Sequence, residues 1–209
     1  MQIIKPSYKI RTPLRGDTIL SSIEQAGRTC YKSEGDITPE SAKEFCRKII
    51  ARGHHSVIEH ESVSVRFIVD RGVSHELVRH RLCAFSQEST RYCNYKGGVT
   101  FIVPPWYDLE TTGKTTTEVI WWNAMRASEE AYLGLLEAGW SPQQARSVLP
   151  NSLKTEIVCT ANLREWRHIF SLRCASAAHP QMREIMQPLL AEMSKAIPVI
   201  FDDLTEPNK

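Results

Sequence analysis

Apolar positions along this 209-residue chain recur with two periods, and the switches between them outline its elements. Residues 1–4 read as an edge strand, with Pro6 and Pro13 bounding a connector. Ile19, Leu20, Ile23 and Ala26 then recur at helical spacing, which predicts a helix with Asp17 as its N-cap. Thr38-Pro39 predicts a second helix, with proline at its first position. That helix is expected to bury Ala42, Phe45, Cys46, Ile49 and Ile50 and to stop at Gly53. Over residues 62–69 the period drops to two, the mark of a strand, and Asp70-Arg71-Gly72 leads into a helix through Val73, Leu77 and Val78. A turn at 94–98 and a short strand at 99–103 end at Pro104-Pro105. Beyond a polar loop at 111–114, a long helix from about 116 to 138 is expected to turn Val119, Ile120, Met125, Tyr132, Leu135 and Leu136 inward.

Ser141-Pro142-Gln143-Gln144 is a capping box opening a short helix that carries Arg146. Residues 153–160 read as a strand, and Asn162 as the cap of a helix bearing Trp166, Ile169, Phe170 and Leu172. Arg164, His168 and Arg173 form the opposing polar stripe of that helix. Pro180 opens a last helix with Met182, Ile185, Met186, Leu189, Leu190, Met193 and Ile197 inward, bent at Pro188, and residues 206–209 are expected to fray. No repeat or linker interrupts this order. It predicts one α+β domain over residues 1–209, with a small antiparallel or mixed sheet packed by long helices.

Composition narrows the function classes. Lys and Arg total 26 against 24 Asp and Glu, a net charge of +2 that argues against a dedicated nucleic-acid binder. Trp106, Trp121 and Trp122 are stacking aromatics that an RNA-binding protein would use, but the last two fall in the long helix. The six cysteines show no CxxC spacing and read as thiols in a reducing compartment. No apolar run reaches the roughly 18 residues of a membrane span, and the N-terminus has no signal-peptide core, so the expectation is a soluble cytoplasmic protein.

Any basic region must therefore be local, and one is. From Arg79 to Arg91 the chain places three arginines, a histidine and two serines, donors suited to carboxylate and phosphate. On a helix, Arg79 and Arg81 would splay roughly 200° apart, so they serve two ligands or the helix ends there. Burying an arginine without a partner costs several kcal/mol, so the clusters around Arg79–Arg91, Arg146 and 162–173 are either exposed or met by an anion. Other chemistries fit less well. The histidines of 54–60 lack the same-face spacing of zinc ligands and read as a pocket-lining loop. His75-Glu76-Leu77-Val78-Arg79 imitates a metalloprotease motif with arginine where the second histidine belongs, so no metal site is predicted. Ser89 with His80 as base lacks a nucleophile elbow and an orienting acid. No dinucleotide or Walker loop is present.

Arg79-His80-Arg81, seven residues, then Ser89 and Arg91 resembles the signature of the flavin-dependent thymidylate synthases, the ThyX family. Gly53-His54 with Glu59-His60, Arg146 through Pro150, and Asn162-Leu163-Arg164-Glu165 through Leu172-Arg173 resemble further segments of that family, in the same order. The chain departs from the family at Ala84, where many members have serine, and at Glu76, where many have glutamine.

The resemblance implies reductive methylation of dUMP to dTMP, with 5,10-methylenetetrahydrofolate as one-carbon donor and NADPH as reductant through bound FAD. It implies that Ser56, Arg79, His80, Arg81, Gln87, Asn162, Arg164 and His168 hold FAD. Glu76, Arg79, Gln87, Glu88, Ser89, Thr90, Arg91, Arg146 and Arg173 would hold dUMP. Arg173 would be catalytic, favouring ionisation at the uracil N3. Ser89 would be a nucleotide-binding donor rather than a nucleophile, and His54 and Tyr92 would line the folate and flavin side. A homotetramer with active sites shared between subunits is also implied.

Overall fold

The structure is a computed structural model, which describes residues 1–109 and 114–205. The chain runs through β1 (Gln2–Ile4), β2 (Ser7–Ile10), α1 (Gly16–Thr29), α2 (Ser41–Ala51), β3 (Ser62–Asp70), α3 (Arg71–Leu77) and β4 (Ala84–Gln87). It continues through β5 (Thr100–Ile102), α4 (Thr116–Glu137), α5 (Pro142–Ala145), β6 (Lys154–Asn162), α6 (Leu163–Arg173), α7 (Pro180–Ala196) and α8 (Asp202–Thr205). The fold is mixed α/β, as the alternation of periods predicts, but with two sheets. Strand β1 pairs in parallel with β5, Ile3 opposite Phe101, and a four-stranded sheet has the order β2-β3-β6-β4.

Contacts group the chain into two compact units. The first comprises Met1–Ser7, Phe67–Arg79 and Phe85–Val158; the second comprises Tyr8–Arg66, His80–Ala84 and the chain from Cys159 onward. In the first, Val99, Phe101, Met125, Tyr132, Ala145 and Leu153 form the core against α4. In the second, α1 and α2 close on each other so tightly that a Cβ on Gly27 would stand 2.6 Å from Phe45. Helices α6 and α7 pack on each other, with Trp166 fully buried and its indole Nε1–H donating to the Val63 carbonyl at 3.0 Å.

Several boundaries differ from the sequence expectation for local reasons. Helix α1 begins at Gly16 with Arg15 at the cap, and Asp17 lies in the first turn, where its carboxylate complements the helix dipole. Helix α2 begins at Ser41, because Ser41 Oγ accepts from the Thr38 amide and closes a turn over Pro39. Phe45 and Ile50 are half-buried. Strands β2 and β4 were not expected, and β6 extends to Asn162.

Helix α4 is the largest correction. Val119 and Ile120 are 44% and 64% exposed, while Glu118, Met125, Glu129 and Tyr132 form the inward stripe. Each buried carboxylate has donors. Glu118 accepts from the Thr115 and Asp108 amides, and Glu129 accepts from the Val99 amide and pairs with the N-terminal amine at 2.8 Å. Leu172 is likewise exposed. The capping box at Ser141 and Gln144 forms, and α7 continues through Pro188 with all seven expected apolar residues buried. The loop at 111–114 lies mostly, and the tail at 206–209 wholly, outside the described residues.

Trp166→Ala removes a fully buried indole and its hydrogen bond to the Val63 carbonyl, so it is expected to cost about 3–5 kcal/mol. Urea unfolding checks this: a midpoint near that of the wild type would contradict the packing described.

Candidate active site

In the first unit, helix α3 is capped by Asp70, whose Oδ1 accepts from the Val73 amide at 2.8 Å. The helix ends at Leu77, so Arg79 stands in a turn and is exposed. The helix thus ends before the first of the two arginines, so neither is carried on it. Glu76 is half-buried on α3, and Ala84 is exposed at the start of β4.

Gln87 donates from Nε2 to Ser74 Oγ at 3.0 Å and to Thr155 Oγ1 at 3.2 Å. Glu88 accepts from the Tyr95 hydroxyl and the Lys154 ammonium, both at 2.9 Å, and its amide donates to the Glu156 carbonyl. Burial works against the Lys154 ammonium, but the hydrogen bonds it donates to Glu156 and Glu88 outweigh it and hold its pKa above the ordinary lysine value. These two side chains thus fix the strand end from which Ser89, Thr90 and Arg91 project. Ser89 starts a turn, its carbonyl accepting from the Tyr92 and Cys93 amides. Thr90 is buried, and its Oγ1 accepts from Arg146 Nη1 at 3.0 Å, which joins two of the arginine clusters. The Arg91 guanidinium lies 5.4 Å from the Tyr92 ring, and Tyr92 is 77% exposed.

In the second unit, α6 carries the polar stripe. Its cap Asn162 accepts from the Glu165 amide at 2.8 Å. Arg164 and His168 are exposed one turn apart, and Arg164 pairs with Glu59 at 2.5 Å. His54, Ser56 and Arg81 are exposed. His80 is buried, unlike its two arginine neighbours. Arg173 Nε donates to His80 Nε2 at 3.0 Å, His80 Nδ1 lies 3.6 Å from Glu165 Oε1, and the His168 ring meets His80 edge-on at 5.6 Å. Burial, then the Arg173 and His168 charges, lowers the His80 pKa to about 4, so the imidazole is neutral near pH 7.

Ligand atoms of His80, Glu165 and His168 lie within 4.8 Å of one another. Arg173 already occupies the Nε2 lone pair, the proton is therefore on Nδ1, and a guanidinium stands beside the group. The Arg173 guanidinium, itself a cation, thus takes the free lone pair of this group.

The structure thus divides the expected residues. Glu76, Arg79, Gln87 to Tyr92 and Arg146 belong to the first unit; His54, Ser56, His80, Arg81, Asn162, Arg164, His168 and Arg173 belong to the second. Two buried residues of α6 escaped the sequence reading. Arg167 makes a two-pronged ion pair with Asp203, at 2.7 and 2.6 Å, and donates to the Ile200 carbonyl. Glu165 is 6% exposed. Its signal was positional: it lies four residues before Ile169, on the apolar face of the helix.

A family model described as thymidylate synthase complementing protein matches residues 17–199. A flavin-dependent thymidylate synthase of Geobacter sulfurreducens is 35% identical over 191 residues, covering 88% of this chain and 81% of its own. One from Mycobacterium tuberculosis is 35% identical over 196 residues, covering 87% and 78%. Crystal structures of a UMP/dUMP methylase, PolB of Streptomyces cacaoi, share the fold. The form bound with 5-Br UMP has a TM-score of 0.77 at 23% identity, covering 98% of this chain and 96% of that one. The form bound with 5-Br dUMP has a TM-score of 0.79 at 21% identity, covering 98% and 97%.

The depressed His80 pKa has a stability consequence. Between the ordinary histidine value of 6.5 and about 4 the unfolded chain binds the proton and the folded one does not, so His80's contribution is complete above pH 6.5 and is lost as pH falls through that window. The shift is worth about 3 kcal/mol. Urea unfolding at pH 7 and pH 4.5 is expected to show a smaller acid loss in His80→Gln than in the wild type; equal losses would refute a neutral, buried His80.

Proposed function

The chain belongs to the family of flavin-dependent thymidylate synthases, and we propose that it converts dUMP to dTMP by reductive methylation. In this reading 5,10-methylenetetrahydrofolate is the one-carbon donor and NADPH the reductant, with FAD as the flavin. The whole chain acts as one functional domain, in keeping with a family match that runs through both units. The observation that carries the proposal is the bond from Arg173 to a neutral, buried His80 at the centre of the family's ordered motifs.

The second unit's donor set fits a flavin dinucleotide. Arg164 and His168 on one face of α6, exposed Ser56 and Arg81, and Asn162 at the helix start supply the cations and neutral donors that a diphosphate and a flavin ring require. When bound, FAD supplies the hydride chemistry. The protein's own residues bind, orient and tune charge. Arg79, in the turn that follows α3, binds both ligands in this reading. Gln87 and Glu88 set the strand end through Ser74, Thr155, Lys154 and Tyr95, and Glu76, Ser89, Thr90, Arg91 and Arg146 hold the nucleotide.

Arg173, oriented through Nε, stabilises the uracil anion formed by loss of the N3 proton, which makes the ring C5 a better nucleophile. No protein nucleophile is required. Burial pushes the thiols of Cys46 and Cys174 up, and a hydrogen bond with Cys83 followed by burial does the same for Cys159, away from the thiolate. His54 and Tyr92, both exposed, line the folate side. The enzyme works as a homotetramer whose subunits share active sites in the cytoplasm. Exposed Val119, Ile120 and Trp122 on α4 support such an assembly. No helix among the described residues is long and apolar enough to cross a membrane.

An absorbance spectrum of the purified protein, before and after anaerobic NADPH with dUMP, is expected to show a flavin that bleaches. A colourless protein that takes up no FAD would sink the proposal. Arg173→Ala is expected to cut turnover at least about 100-fold with FAD still bound, the scale of a lost charge stabiliser. Near-normal turnover would remove Arg173 from the chemistry. Ser89→Ala is expected to weaken dUMP binding by about tenfold, one hydrogen bond's worth, while turnover stays measurable. Loss of all turnover with intact dUMP affinity would instead make Ser89 a participant.

A further inference from the structure

Glu165 is the only carboxylate of α6, and it sits on the apolar side of that helix, 6% exposed. Its neighbour is His80 rather than solvent: Oε1 lies 3.6 Å from His80 Nδ1, with both side chains under a tenth exposed. On the far side of the same ring, Nε2 accepts from Arg173 Nε at 3.0 Å. Carboxylate, imidazole and guanidinium thus follow one another in a row.

We propose that Glu165 is a positioning residue for the reaction: it holds His80 in the Nδ1–H tautomer, so that Nε2 keeps the lone pair that orients Arg173. This rests on the reading that Arg173 acts on the pyrimidine.

The argument is one of proton placement. A guanidinium can only donate, so the nitrogen facing Arg173 must be bare. A neutral imidazole has a single N–H, which then lies on Nδ1, facing the carboxylate. At 3.6 Å that contact is electrostatic rather than a hydrogen bond, but between buried groups it is weakly screened. The opposite tautomer would set Nε2–H against the Arg173 Nε–H, donor to donor, and break that hydrogen bond.

The other titratable groups around the ring do not supply the same bias. His168 meets it edge-on, and the Cys159 thiol, its pKa raised by a hydrogen bond with Cys83 and by burial, carries no charge that would hold a proton on Nδ1. The logic is that of a carboxylate orienting a metal-bound histidine, with a guanidinium in the metal's place.

The test compares Glu165→Gln and Glu165→Leu in the full-length enzyme, with Arg173→Ala as reference. Histidine nitrogen NMR of uniformly [15N]histidine-labelled protein reads the tautomer, with the His80 signals assigned by their loss in His80→Gln. Steady-state kinetics give kcat per bound flavin and KM for dUMP. In the wild type, His80 is expected as the Nδ1–H tautomer. Glu165→Leu is expected to mix the tautomers and lower kcat about 10- to 100-fold, the usual scale for such orienting partners. Its KM for dUMP is expected to stay within about twofold of the wild type, since an orienting contact acts on the rate rather than on uniform binding. Glu165→Gln keeps a carbonyl acceptor and is expected to restore most of the rate.

A wild-type His80 protonated on Nε2 would overturn the proposal without any variant, even if the leucine variant fails to fold. So would a Glu165→Leu enzyme that loses melting temperature or flavin content but keeps kcat per flavin and the Nδ1–H tautomer. Should Arg173→Ala keep its turnover, the role of Arg173 falls, and the tautomer measurement still decides whether Glu165 holds His80.

Discussion

Helix α6 is pinned at its first turn by three hydrogen bonds that leave it no freedom of register. Asn162 caps it by accepting from the Glu165 amide, the Leu163 amide donates to the Glu61 carbonyl at 2.9 Å, and the Trp166 indole donates to Val63 at 3.0 Å. Two of the three tie the helix to β3 and the residue before it. Trp166 stacks on Phe170 at 5.5 Å, and Phe170 meets Phe201 edge-on, so the apolar side is filled by aromatic rings. Once that side is fixed, the helical repeat alone decides where Arg164, His168 and Arg173 stand. Arg167 secures the remaining side through Asp203, whose carboxyl its hydrogen bonds hold below the usual range.

Within that frame, charge is handled differently in the two units. Next to Arg173 the protein places a histidine that burial keeps neutral, so the ring serves as an acceptor instead of adding a second cation. Next to Glu88 and Glu156 it places a lysine whose charge is held against burial by two carboxylates. The first arrangement keeps a guanidinium oriented without neutralising it. The second does neutralise, and what it secures is geometry: the end of β4 from which Ser89 to Arg91 emerge.

Much of this was legible in the sequence because the strong local signals agreed with the packing. The apolar series from Met182 to Ile197, the capping box at Ser141, and Asn162 ahead of α6 all appear where the pattern puts them. The failures share a cause. A helical pattern read as apolar-inward cannot foresee a carboxylate that goes inward because backbone amides await it, as Glu118 and Glu129 do, leaving Val119 and Ile120 outside. Glu165 and Arg167 escaped the reading for a related reason, since their partners His80 and Asp203 lie far along the chain. Strand β4 was masked by its four-residue length and by the polar residues around it.

The Arg79-His80-Arg81 motif carries the same lesson in three residues. The chain passes from one unit to the other between Arg79 and His80. Helical geometry already forbade Arg79 and Arg81 from clasping one ligand side by side. The structure gives the reason a different form: the helix has ended, and the two arginines belong to separate units while the histidine between them is drawn into the interior of the second. The motif therefore needs the α3 stop at Leu77 as much as it needs its own side chains. Asp70, which starts that short helix, belongs to the site's construction although it lies nine residues upstream of the first arginine.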